Sequence, residues 1–297
     1  MTKKTPFGRI KTSRKHDTIL EVHLTSTSIG GVLRIFRSKL AAREKYYVVT
    51  PNPEIILAAQ KDTRLKKILN SADISLPDGI GLAQAAKFLG FKSPQNFLLR
   101  IVVLFFRGIS VGLATFFNRD WLTSALKPIP GRVMFMQLMG LANKKGLRVF
   151  FLGDKNVHHA KEALTRSFKM VKIEAAQGPW LDLEGNPTSA DERQREEECI
   201  DRINKFGPHI LFVGFNAPKQ EKWLYKWLPK LNTPAGMVVG GTFDYFSGIA
   251  DLPPKWMETL GLEWLWRSVR QPWRAGRIIK AVFVFPFLVY ISKIKEK

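Results

Sequence analysis

The stretch "YVVTPNPEIILAAQ", Tyr47 to Gln60, decides the fold. Its apolar, strand-like run stops at Thr50-Pro51-Asn52-Pro53 and turns at once into a helix-like pattern. Two prolines flanking one Asn force an extended backbone and then a helix start, because Pro fixes φ and suits a first helical turn. Such a turn holds polar side chains at the carboxyl end of a strand, where ligands sit in an open parallel sheet. A second edge of the same kind follows in "ADISLPDGIGLAQAA", where Ile74 to Leu76 run into Pro77-Asp78-Gly79. One strand–helix–strand unit separates Thr50 from Asp78, which places both polar tips on one cleft.

The same alternation continues outward. "YYVVT" leads to "PEIILAAQKDTRLKKILNS", "ISLPDG" to "IGLAQAAKFLG", and "LRVFFLGD" to "NVHHAKEALTRSF". "VKIEAA" follows, then a helix opened by a capping-box pattern, Ser189 with Glu192. "HILFVGF" leads to "APKQEKWLYKWL", and "GMVVGGTFDYFSG" closes the series. Repeated β–α alternation with near-continuous apolar strands predicts an α/β fold, a Rossmann-like, mostly parallel sheet with helices on both faces.

The 297 residues are 45% hydrophobic, enough for an ordinary buried core and too much for a disordered chain. One cysteine, Cys199, excludes an internal disulfide and any metal cluster built on cysteine, and points to a reducing compartment. Forty-seven Lys and Arg against 25 Asp and Glu give a net charge of +22. That excess calls for a polyanionic partner: nucleic acid, an anionic bilayer or phosphorylated substrates. It is concentrated at the ends: residues 1–17 carry Lys3, Lys4, Arg9, Lys11, Arg14 and Lys15 against Asp17 alone. Residues 255–297 carry nine Lys or Arg against three Glu. No early apolar core follows the basic start, so no signal peptide is expected.

The alternation is interrupted by Phe97 to Phe117, 21 residues of "FLLRIVVLFFRGISVGLATFF", about the length of a bilayer crossing. Arg100 and Arg107 break it, and a mid-segment Arg costs roughly 2.5 kcal/mol or more in hydrocarbon. An interfacial or re-entrant membrane element is therefore expected in preference to a true span, with a soluble core helix as the plain alternative. The tail "IIKAVFVFPFLVYISKIKEK" adds a shorter apolar piece with basic flanks, suited to an anionic leaflet. Three parts are expected: a basic tail 1–18, an α/β catalytic domain 19–254 with a hydrophobic insertion at about 92–127, and a membrane-associating helical appendage 255–297.

Candidate chemistry gathers at four places. Asp78 stands at a strand end, where Gly79 allows a ligand close approach; an Asp-Gly turn with no further role is the alternative. Thr50 and Asn52 carry a similar alternative as helix caps. In "GFNAPKQEKW", Lys219, Gln220 and Glu221 occupy the first turn of a helix whose free N–H groups suit anions or sugar hydroxyls. The plain reading is that Glu221 complements the helix dipole while Trp223, Leu224, Trp227 and Leu228 pack inward. In "VVGGTFDYFSG", Gly240 and Gly241 let a backbone approach a nucleotide, and Asp244 suits ribose or sugar hydroxyls or a turn. Arg267, Arg270, Arg274 and Arg277 recur at intervals of three and four, interleaved with Trp264, Trp266 and Trp273, and predict a basic helical face for a diphosphate or a membrane surface. Neither G-x-G-x-x-G nor a P-loop pattern occurs, against a dinucleotide oxidoreductase or P-loop enzyme. The adjacent His158 and His159 read as surface residues.

"VVTPNPEII", "LPDGIG", "LRVFFLGD", "PHILFVGFNAPKQEKWL", "VVGGTFDYFSG" and "PPKWMETLGLEWLWRSVRQPWRAGR" resemble, in order, the WecG/TagA/CpsF family of bacterial glycosyltransferases. The resemblance implies an inverting transfer of N-acetylmannosamine, or a related sugar, from a UDP-sugar to N-acetylglucosamine on a polyprenyl diphosphate. It implies no metal and no cofactor, and a peripheral place on the cytoplasmic face of the membrane. Carried over by position, Asp78 is the general base, Thr50 and Asn52 line its pocket, and Gln220 positions substrate. Gly240, Gly241, Phe243 and Asp244 border the UDP site, and Arg267, Arg274 and Arg277 hold diphosphate. The chain departs from the family pattern at Glu21, where Gly is common, and at Val133, where Asp is frequent. A nucleic-acid binder explains the charge but neither the apolar insertion nor the Asp-Gly and Gly-Gly strand ends; an inactive membrane scaffold and a homo-oligomer stay open at this point.

Overall fold

Along β3 (Tyr46–Val49), Tyr46 and Val48 face one side of a sheet, Tyr47 and Val49 the other, and all four are buried. A strand covered on both faces has to be apolar at every position, which is why this run shows no alternation. The computed structural model describes residues 17–260, 263–270 and 275–296, so the basic run 3–15 and Arg274 lie outside the described residues.

β4 (Ile74–Ser75), β3, β8 (Ala235–Val238), β7 (Ile210–Gly214), β5 (Arg148–Gly153) and β6 (Lys172–Gln177) lie side by side in that order, all parallel. Ile74, Val48, Met237, Phe212, Phe151 and Ala175 form one row across the sheet, on one face. The chain leaves β3 toward one edge and β5 toward the other, and β7 and β8 return between them. The expected α/β fold is borne out.

One face is covered by α1 (Ile29–Ala41), α7 (Gly131–Lys144), α8 (Val157–Ser167) and α11 (Thr242–Phe246), through side chains such as Phe36, Phe135, Leu164 and Phe243. The other carries α2 (Pro53–Lys61), α3 (Thr63–Ser71), α4 (Ile80–Leu89), α5 (Phe97–Phe117), α6 (Arg119–Thr123), α9 (Ala190–Phe206), α10 (Lys219–Trp227) and α15 (Phe285–Ile294). Between these, α12 (Lys255–Leu260), α13 (Glu263–Arg270) and α14 (Ala275–Ile279) lead into a π-helical turn at Lys280–Val284. Pro286 follows in the first turn of α15; its ring would clash with the carbonyl four residues back, and a widened turn relieves that contact.

The helix expected over 53–71 is two. Asp62 ends α2 and caps α3, its Oδ1 accepting from the Leu65 amide at 2.8 Å, and its Oδ2 lies 2.6 Å from the buried Lys222 ammonium of α10. The capping box at α9 is half formed. Ser189 accepts from the Glu192 amide, but the Glu192 carboxylate takes the Trp180 amide at 2.7 Å. Cys199 is buried in α9, where desolvation raises its thiol pKa to about 11.

Before the sheet, β1 (Thr18–Ile19) and β2 (Val22–His23) form an antiparallel hairpin around Leu20 (φ 47°) and Glu21 (φ 63°). Two positive φ values in a two-residue turn are what glycine supplies most easily. Here Glu21 is held instead by Lys66 at 2.6 Å and by Asn70, whose Nδ2 donates to the Glu21 carbonyl.

Candidate active site

The two polar tips meet. The Leu76 amide donates to the Val49 carbonyl and the Asp78 amide to the Pro51 carbonyl, at 2.8 and 2.9 Å, so "LPDG" is laid directly along "TPNP". Asn52 caps α2, its Oδ1 accepting from the Ile55 amide at 2.9 Å, with Pro53 in the first turn. Gly79 has φ 94° and ψ 154°, a region essentially closed to other residues. A Cβ at Gly81 would stand 2.9 Å from Pro53, so only glycine lets α4 start this close to α2.

α7 completes the cluster. The Ile129 amide donates to the Pro77 carbonyl, and the Gly131 amide lies 3.4 Å from Asp78 Oδ2. The Asp78 carboxylate therefore stands at the N-terminus of a 14-residue helix, a favourable place for an anion. Thr50 is buried against the same turn, where a Cβ on Gly131 would lie 3.2 Å from its hydroxyl.

Asn52, Asp78 and Gly79 line a cavity of about 990 Å³. Its polar wall also includes Glu54, Arg119, Asp120, Lys127 and Arg132; its apolar wall comes from α4, α5 and the C-terminal helices. The cations Arg119, Lys127 and Arg132 went unnoticed in the sequence. Their signal is three basic residues within fourteen, around Pro128 and Pro130, directly after the apolar helix. Val133 lines the same cavity, so the wall is apolar where the family often has a carboxylate.

Further along the strand ends, the Gln220 side chain is committed at both ends. Its Oε1 accepts from the Gly240 amide at 3.0 Å, and its Nε2 donates to Glu221 Oε1 at 2.9 Å. Both residues are buried, and Glu221 Oε2 has no hydrogen-bond partner among the described residues. Desolvation raises the Glu221 pKa to about 7. Trp223 and Trp227 pack inward and donate their indole N–H groups to Glu196, as the plain reading of that helix expects.

Gly240 sits at φ 54° and, with Gly241, opens α11 after β8. Asp244 accepts from Asn156 Nδ2 at 3.3 Å, tying this turn to the end of β5. Phe243 is only 2% exposed and packs under the strand ends, where a Cβ on Gly153 or Gly214 would strike its ring. Adjacent strands lie about 4.8 Å apart, so β4, which leads to Asp78, and β8, which leads to Gly240, run about 10 Å apart with β3 between them.

Of the arginine series, Arg267 and Arg270 lie on α13 and Arg277 on α14. Arg270 stacks on Trp266 and lies 3.5 Å from Asp251. Arg277 is exposed, while its neighbour Ile278 lines the cavity. The side chains of Trp264 and Arg267, and the residues Trp273 and Arg274, lie outside what the structure describes. His158 and His159 are exposed on α8.

The Glycosyl transferase WecG/TagA/CpsF family profile matches residues 18–101 and 109–297, leaving out the first 17 residues and a piece of α5. Among curated relatives, the N-acetylglucosaminyldiphosphoundecaprenol N-acetyl-beta-D-mannosaminyltransferase of Bacillus subtilis (strain 168) is 26% identical over 262 residues, 88% of this chain and 79% of that protein. The Staphylococcus aureus (strain MW2) protein of the same name is 26% identical over 253 residues, 84% of this chain and 82% of its own. With the whole sheet and both glycine-bounded strand ends inside the match, the chain belongs to the WecG/TagA/CpsF glycosyl transferase family and is a sugar-transferring enzyme.

Proposed function

We propose that the protein transfers N-acetylmannosamine, or a closely related sugar, from its UDP form to N-acetylglucosamine on a polyprenyl diphosphate, with inversion at the anomeric carbon. The observation that carries this reading is Asp78, a strand-end carboxylate in the wall of a large cavity that is polar on one side and apolar on the other. Names of the relatives supply the sugar and the lipid acceptor.

Asp78 accepts the proton of the acceptor hydroxyl as that oxygen attacks the anomeric carbon. Thr50 and Asn52 shape its pocket, and Gly79 lets the sugar approach the backbone. The donor lies toward the end of β8, where Gly240, Gly241 and Asp244 border the nucleotide and Gln220, backed by Glu221, fixes the Gly240 turn. Charge builds on the departing diphosphate and is met by guanidinium groups, for which Arg267, Arg274 and Arg277 are the family positions.

The protein works as a peripheral protein on an anionic membrane surface. α5 supports this: Phe97, Leu98, Val102, Phe105, Phe106 and Phe117 are each more than half exposed on a helix long and apolar enough to cross a membrane. Its two arginines face the protein and are bound there, which favours a helix lying on the bilayer over one standing alone across it.

The test is Asp78→Asn, assayed for transfer and for donor binding. Removing a general base lowers the rate by about 10²–10⁴-fold, and UDP-sugar binding is expected to persist. Turnover near that of the unmodified protein rules out Asp78 as the base.

A further inference from the structure

The cavity at Asp78 is larger than one sugar requires. At about 990 Å³ it stands at the top of the range for small-molecule sites, roughly 300–1,000 Å³. Its apolar side is made of two helical faces. α5 turns Gly108, Val111 and Gly112 toward it, and the C-terminal helical segment turns Val282, Phe285 and Val289. Gly108 is three residues from Val111 and four from Gly112, and Val282, Phe285 and Val289 are spaced by three and four, the intervals that keep to one face of a helix.

The segment joining this apolar side to Asp78 is short. It leaves α5 at Phe117, passes Arg119, Asp120 and Lys127, and reaches Arg132 beside Gly131, whose amide faces the Asp78 carboxylate. Chain path and cavity wall therefore run in the same order: apolar helices, a mainly cationic stretch, then the carboxylate pocket. A lipid-linked sugar has that order too, as isoprenoid, diphosphate and sugar. The outer face of α5 is itself exposed and apolar, so a chain longer than the groove has an apolar surface to follow.

We propose that the groove between α5 and the C-terminal helical segment is the subsite for the first isoprene units of the polyprenyl acceptor, with its diphosphate against Arg119, Lys127 and Arg132. This rests on the acceptor reading given above and adds the lipid to it. Space in the groove is kept open at Gly112, where a Cβ would meet no atom within 4 Å. Glycine weakens a helix interior, so a larger residue there fills the groove without straining the fold.

The experiment compares Gly112→Ala and Gly112→Leu with the unmodified protein on two acceptors, the undecaprenyl and the methyl esters of N-acetylglucosaminyl diphosphate. The unmodified enzyme is expected to show a KM for the undecaprenyl ester about tenfold below that for the methyl ester, which has no isoprene unit to place in the groove. Gly112→Leu erases most of that preference, Gly112→Ala part of it, and melting temperatures stay level or rise. An unchanged chain-length preference in Gly112→Leu overturns the proposal. Should the unmodified protein glycosylate neither ester, the acceptor reading fails, and binding decides the groove by itself. Geranylgeranyl diphosphate held more tightly than inorganic diphosphate, and less tightly after Gly112→Leu, supports it. Equal affinity for the two ligands overturns it.

Discussion

Glu221 is a carboxylate taken almost wholly out of water. It is buried beside Gln220, one oxygen has no hydrogen-bond partner among the described residues, and its pKa is raised to about 7 by desolvation. A carboxyl that stays protonated in the fold and ionises when unfolded makes stability fall as pH rises. The contribution is full below the ordinary value of 4.5 and is lost as pH climbs to about 7, on the order of 3 kcal/mol at most. Glu221→Gln keeps the shape and the hydrogen bond from Gln220 and cannot ionise. Urea unfolding should find the variant and its parent alike near pH 4.5 and the variant more stable at pH 8. A constant difference across that range would mean that Glu221 does not titrate in the fold. Asp78, Asn52 and Gly79 were legible in the sequence, because proline and glycine constrain the backbone wherever they occur. The pairing of Gln220 with Glu221 and Gly240 was not, since it depends on β7 and β8 lying side by side.

At the scale of elements, the inner strands were legible because both faces of the sheet are buried there and each reads as an apolar run ended by Gly or Pro; the edge strand β6, with Lys172, Glu174 and Gln177, carries a weaker signal. The break at Asp62 was hidden, because the apolar period continues across it and its partner Lys222 lies far along the chain. The role of the two arginines of α5 was hidden for a similar reason. Arg100 and Arg107 interrupt the apolar run in sequence, yet both sit on the stripe of Leu104 and Val111, facing the protein. Arg107 donates to the Lys92 carbonyl. The Arg100 guanidinium donates to the carbonyls of Pro94, Ile294 and Glu296, and so caps the end of α15. Hydrogen bonds to a charged group contribute about 1.5–3 kcal/mol. Arg100→Met should therefore loosen α15 locally, seen as faster amide hydrogen exchange across Phe285–Ile294 with the sheet unchanged. Equal exchange rates in that helix would show that its docking rests on Phe285, Val289 and Ile294 alone. The packing also makes deletion of residues 278–297 a poor test of membrane binding, since it would expose the core those side chains cover.

At the scale of the whole molecule, two properties act on the same partner. The net charge of +22 attracts an anionic surface, and α5 with Phe283 and Phe287 offers exposed aromatic and aliphatic side chains to enter it. Salt separates the two. At 1 M ionic strength the Debye length is about 3 Å, so attraction between exposed charges is largely screened while apolar insertion is not. A protein held by charge alone should leave phosphatidylglycerol-containing vesicles completely in 1 M NaCl. This one should lose part of its binding and keep the remainder. Phe105→Ser with Phe106→Ser removes two rings, 55% and 64% exposed, from the outward face of α5 without entering the sheet core. That double variant should sediment with the vesicles at low salt, where charge suffices, and stay in the supernatant at high salt. Retention of the double variant at 1 M NaCl would move the apolar anchor off α5 and onto the C-terminal segment, to be traced next with Phe283→Ser and Phe287→Ser. Release of both proteins by salt would leave the long helix with no part in membrane attachment.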